Sequence, residues 1–124
     1  MTAYITMDEA LRIHTVLLEE FGGAGGVRDL GLLDSALNRP QSGYYRDLIE
    51  EAAALWESLA MNHPFVDGNK RVAYAVGELF LQLNGVDISP DNKTVETFIY
   101  SNLEAGTFNK DVLDAWLRSN TRLL

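Results

Sequence analysis

Nine consecutive residues, His63-Pro64-Phe65-Val66-Asp67-Gly68-Asn69-Lys70-Arg71, hold most of the groups in this chain that could do chemistry. His63 is one of only two histidines, and an imidazole is the side-chain base that works near neutral pH. Asp67 offers a carboxylate of the kind that holds Mg2+ together with substrate phosphates. Gly68 can turn the chain tightly into a following helix. The first turn of such a helix presents unpaired N–H groups and the positive end of its dipole, which together bind anions. Lys70 and Arg71 would add two positive charges to that turn. A base, a metal carboxylate and a phosphate cradle suit phosphoryl or nucleotidyl transfer, where catalysis is mostly positioning and charge stabilisation.

Plainer readings stand beside this one. D-G-N is also a common turn string, so Asp67 could be a turn or N-cap residue. His63 could end a helix as a satisfied structural histidine, and Lys70 and Arg71 could be a solvated face. Cations at a helix N-terminus oppose the dipole, however, and that placement favours an anion as their partner.

The flanking pattern is helical on both sides. Pro64 disfavours the α conformation at His63, so the preceding helix should stop about there. That helix opens on Asp47 with Glu50 as a capping pair. Ile49, Ala52, Ala53, Trp56, Leu59 and Ala60 share one stripe, which His63 continues. After the loop, Val72, Ala73, Val76, Leu79, Phe80 and Leu83 cover more than one face. The pattern predicts a central helix over 69–84, enclosed by others, and Phe65 is expected to drop into its core and pin the loop. Upstream, Thr6 and Glu9 form a capping box for a helix over 7–20. His14 is in phase with its apolar residues and reads as structural. Gly22-Gly23 ends that helix. The Gly-rich 24–28 loop follows a helix and lacks a Lys-Ser/Thr ending, so it is not a Walker motif. Asp29 caps a helix over 30–38, ended by Arg39-Pro40. Tyr44 and Tyr45 lie in a polar 41–46 segment and suit partner contact. Ser89-Pro90 reads as the start of a helix to about 104. Phe108 and Leu113 read as a staple around Asn109, opening the last helix.

A chain of 124 residues, 47% of them hydrophobic, suffices for one all-α domain over 1–124 with its own core. The absence of cysteine removes disulfides and thiolate chemistry and fits a reducing cytoplasm. No apolar run is long enough to span a membrane and no secretory signal is visible, so a cytoplasmic location is expected. A net charge of −8 opposes a DNA backbone and counts against direct nucleic-acid binding.

The nine-residue stretch resembles the core motif of the Fic/Doc superfamily, H-x-F-x-D/E-x-N-x-R, with His63, Phe65, Asp67, Asn69 and Arg71 all matching. Gly26-Val27-Arg28-Asp29, the run Gly31 to Leu37, and Arg39-Pro40 resemble the family's N-terminal segment. AMP-transferring members usually carry Gly where this chain has Lys70, and a second Arg where it has Tyr74. N-K-R is the pattern of the death-on-curing (Doc) toxins of toxin–antitoxin pairs. The resemblance implies six or seven helices around a buried central helix, with or without a short flap hairpin. It implies a kinase that uses ATP and Mg2+, with elongation factor Tu as target and a small antitoxin as partner. His63 would be the base, Asp67 the metal ligand, Gly68, Asn69, Lys70 and Arg71 the phosphate cradle, and Tyr44 and Tyr45 part of a target flap. AMP transfer and a non-catalytic antitoxin-binding or co-repressor module are the alternatives. No S/T-x-x-x-E-G/N inhibitory helix precedes the motif, so inhibition is expected to come from a partner.

Overall fold

Side-chain caps set most of the helix starts. In the computed structural model, which describes residues 1–124, helix α1 (Met7–Phe21) begins with the full Thr6–Glu9 capping box. Asp29 caps α2 (Leu30–Asn38) through the Leu32 amide. Asp47 caps α3 (Leu48–Met61) through that of Glu50. Asn109 caps α6 (Lys110–Asn120), with Phe108 and Leu113 buried beside it as the staple requires. Helix α5 (Asn92–Ala105) corrects the reading of Ser89-Pro90: its cap is Asp91, which accepts from the Thr94 amide. Ser89 instead bonds Asn120 O through both its amide and its hydroxyl.

The architecture is all-α, as expected, with six α-helices and a 3-10 turn at Arg39–Ser42. The centre is shared differently from the reading above. Helix α4 (Asn69–Leu83) buries Val72, Ala73, Val76, Gly77, Phe80 and Leu81, but α3 is the more enclosed, with Ala52 to Trp56 and Ser58 to Ala60 all buried. Alanines on α3, and Gly77, where an added Cβ would stand 3.7 Å from the Trp56 Cβ, let α3 lie close along α4. Helix α6 covers α3 from another side. Trp56 is the hub of an aromatic cluster with Tyr74, Phe98, Phe108 and Trp116. These large side chains fasten α5 and α6 to the α3–α4 pair.

One short strand pair accompanies the helices, at a place the sequence did not mark. Strand β1 (Val86–Ile88) pairs antiparallel with β2 (Thr121–Leu123), Asp87 opposite Arg122. No hairpin forms over 41–46, where a flap was expected: that stretch continues the 3-10 turn and bends into α3. Its geometry follows from Arg39, whose guanidinium reaches Glu57 Oε1 (2.8 Å), Ser58 Oγ (2.8 Å) and Ala54 O (3.2 Å) on α3. A half-buried arginine with that many acceptors leaves the segment no freedom to extend.

Candidate active site

Helix α3 stops at Met61, within two residues of the expected end, and Asn62 is its C-cap. His63 therefore leaves the buried stripe. It takes φ +50, the single positive φ outside glycine, and its side chain is exposed. The loop then dives: Pro64 and Phe65 are buried, Phe65 to 1% exposure. The Phe65 ring stacks on His14, centroids 4.0 Å apart. His14 is the structural histidine foreseen, yet it serves the loop directly. Its Nε2 lies 2.9 Å from Asp67 O, and since a carbonyl only accepts, Nε2 carries the proton. Gly68, at φ +79, turns the chain into α4 beside that same ring.

Asn69 divides its roles. Its side chain accepts from the Phe65 amide (2.9 Å) and donates to Phe65 O (3.0 Å), closing the loop on itself. One carboxamide N–H is thereby engaged; the second N–H and the backbone amide remain for an anion. Helix α4 is the one helix without a side-chain cap, because a glycine in the left-handed region stands where the other helices have Thr, Asp or Asn. Its first-turn amides point at a cleft of about 320 Å³. His63, Val66, Asp67, Gly68, Asn69, Lys70, Arg71 and Tyr100 line that cleft. All six expected site residues, five of them polar, thus line one cleft.

The cations there are not neutralised. Lys70 and Arg71 are exposed and join none of the chain's salt bridges. Arg71 rests over the Phe21 ring, 4.5 Å from its centroid. Asp67 is engaged by amides: Oδ1 accepts from Gly68 N (2.9 Å) and Oδ2 from Ala24 N (3.2 Å). No cluster of three or more His, Cys, Asp or Glu surrounds it, so no protein cage for a metal exists. One carboxylate is nevertheless what a Mg2+ shared with phosphates asks of a protein.

Tyr74, which stands where AMP-transferring members carry a second Arg, turns away from the cleft. It packs on Trp56 and donates to Glu78 (3.3 Å); burial, and then the Glu78 charge, push its hydroxyl pKa up. Burial raises the Glu78 carboxyl in turn. Tyr44 and Tyr45 are not on the cleft either. Tyr45 accepts from Arg39 Nε (2.7 Å) and has Lys110 Nζ 5.7 Å from its ring centroid, so it is an anchor. Tyr44 is 88% exposed.

The segment that does lie along the motif is 22–29. It runs antiparallel to 62–67, with a bridge between Val27 and Phe65. The amides of Arg28 (2.8 Å) and Asp29 (3.0 Å) donate to Pro64 O, and Val66 N donates to Gly26 O (3.1 Å). The sequence marks this stretch as a Gly-rich loop and, from Gly26 to Asp29, as part of the family resemblance, but not its pairing, because main-chain pairing leaves no side-chain period to detect. Tyr100 was also missed. It stands on the solvent side of α5, and an exposed aromatic out of phase with Val95, Phe98 and Ile99 is the signal that could have flagged it.

A compact helical fold thus brings an imidazole, a carboxylate and an uncapped helix N-terminus together in one cleft, a set that suits phosphate transfer. Residues 4–81 match the model of the Fic/DOC family, and the chain belongs to that family. It is 45% identical over 96 residues to "Toxin Doc" of Mycolicibacterium smegmatis, covering 73% of this chain and 72% of that one. It is 32% identical over 89 residues to "Protein kinase doc" of Escherichia phage P1, covering 68% and 71%. No helix is long and apolar enough to cross a membrane.

Proposed function

We propose that this protein is the toxin of a toxin–antitoxin pair and transfers the γ-phosphoryl group of ATP to a Ser or Thr hydroxyl of a protein, elongation factor Tu being the expected target. The observation that carries this is Lys70: an unpaired cation on the uncapped first turn of α4, sharing one cleft with His63. The naming of the phage relative as a protein kinase supports it. A cytoplasmic location and a small antitoxin partner follow from the same reading.

His63 would take the proton of the target hydroxyl. The hydroxyl oxygen then bonds the γ-phosphorus, the bond from that phosphorus to the β–γ bridging oxygen breaks, and ADP leaves with the electron pair. The amides of Asn69, Lys70 and Arg71 would cradle the phosphates, and the two side chains would offset their charge. Asp67 fits as the protein's share of a Mg2+ site, the ion supplying charge neutralisation between phosphates when bound. A Cβ built on Gly68 would meet only the His14 ring, 3.9 Å away, so the left-handed backbone at φ +79, rather than space, is what asks for glycine there.

The decisive experiment supplies ATP labelled at the α or the γ position to the protein with elongation factor Tu or a bacterial lysate. Label carried from γ only supports the kinase. Label from α means AMP transfer, the chemistry that Gly at position 70 and Arg at 74 would favour. No transfer from either means a binding module.

Two substitutions refine the site. Lys70→Gly is expected to cut γ-transfer by about tenfold to a hundredfold, the loss of one charge-assisted contact of about 1.5–3 kcal/mol. Unchanged transfer would remove Lys70 from the cradle. Asp67→Asn is expected to raise severalfold the Mg2+ concentration giving half-maximal transfer. An unshifted Mg2+ titration would leave Asp67 as a tie to the Ala24 and Gly68 amides alone.

A further inference from the structure

Two local preferences act against the backbone seen at His63. An L-residue pays for φ near +50 through its Cβ, and a residue before proline is driven toward extended backbone. His63 nevertheless holds φ +50 ahead of Pro64, so something outside the dipeptide must restrain it. The restraint visible in the structure is Arg28. Its Nε donates to His63 O (2.7 Å) and its Nη2 donates to Asn62 O (2.8 Å). One planar guanidinium fork thus gathers two successive carbonyls at the C-terminus of α3. The Asn62 carbonyl is one the helix leaves unpaired, at the negative end of its dipole, and the His63 carbonyl follows it directly; the last turn of α3 has no basic residue of its own. The Arg28 and Asp29 amides close on the next carbonyl, Pro64 O. Arg28 makes no ion pair with any carboxylate, although the chain carries eighteen acidic residues. Its side chain is committed to this pair of carbonyls.

We infer that Arg28 is a positioning residue for His63: by clamping the carbonyls of Asn62 and His63 it holds the base in its left-handed conformation, aimed into the cleft. The inference rests on the reading of His63 as the base. Without the fork, His63 relaxes toward the extended backbone its own chirality and Pro64 prefer, and the imidazole leaves the target hydroxyl. The nucleotide cradle on α4 touches none of these atoms. Loss of Arg28 therefore strikes the rate of the chemical step and spares nucleotide binding. Lysine keeps the charge but offers a single flexible ammonium in place of a rigid fork, so Arg28→Lys recovers part of the rate.

The test compares the full-length protein with Arg28→Ala and Arg28→Lys in two measurements. The first is kcat and KM for ATP in γ-label transfer. The second is the His63 13Cα chemical shift by NMR, which reports backbone conformation whether or not transfer occurs. The expected result is a 10- to 100-fold fall in kcat for Arg28→Ala with KM for ATP within twofold, an intermediate kcat for Arg28→Lys, and a His63 shift moved toward the extended value. Should Arg28→Ala fail to fold, Arg28→Lys is judged by the same two measurements. A kcat within twofold of wild type, or a His63 shift that stays in place, overturns the inference. If the wild type transfers no γ-label, the kinase reading fails, and the shift alone still decides whether Arg28 sets the His63 backbone.

Discussion

Replacing His63 with Ala is expected to lower γ-phosphoryl transfer by about 10²- to 10⁴-fold, the range for losing a positioned general base. The fold should not notice. His63 is exposed, and Ala in the same left-handed backbone retains the tie from Arg28 to the residue 63 carbonyl, which is main chain. A thermal melt within about 2 °C of wild type, beside the collapsed rate, would separate chemistry from stability; shifts of that size correspond to well under 1 kcal/mol for a chain of this length. ATP binding should also survive, because the first-turn amides, Lys70 and Arg71 are untouched. Wild-type transfer by the Ala variant would end the assignment of His63 as base.

Phe65→Ala should show the opposite pattern, with stability lost first. The ring is 1% exposed and stacked on His14, and removing a buried phenylalanine costs about 3–5 kcal/mol. Against the roughly 5–15 kcal/mol that holds a domain together, that is a large share. The backbone of the same residue is gripped by the Asn69 side chain at both its N–H and its C=O, and it bridges to Val27. An emptied Phe65 pocket therefore loosens the loop that carries Asp67 as well as the core. Urea denaturation is the measurement. A loss below about 1 kcal/mol would mean that the pocket collapses without cost, and that Asn69 and the strap hold the loop unaided.

The contrast between these two substitutions shows what could be read from the chain alone. His63, Asp67, Lys70 and Arg71 were legible because their chemistry is rare and their spacing is tight. The helices were legible because Thr6, Asp29, Asp47 and Asn109 announce themselves as caps ahead of periodic apolar runs. Ser89 misled, since Asp91 two residues on makes an equally good cap and the contact with Asn120 lies far along the chain. Asn69 was legible as a motif residue, but its tie to the loop was not: only the folded turn shows its carboxamide bonded to Phe65. The anchoring of Tyr45 could not be read, since Lys110 lies far along the chain and Arg39 meets it only through the turn between them. The short sheet escaped because each strand is three residues long and its partner lies more than thirty residues away.

The strap over 22–29 has a consequence for how such chains diverge. It grips the motif loop mainly through main-chain atoms, and Gly22, Gly23 and Gly26 all sit at positive φ. A Cβ on Gly23 would come within 2.8 Å of the Asp67 carboxylate. Selection can therefore see the glycines, which the turn and that approach demand, and Arg28, which works through its side chain. The residues between them can drift almost silently. Two descendants of one ancestor could share this half of the active site atom for atom and still show little likeness across it when their letters are compared.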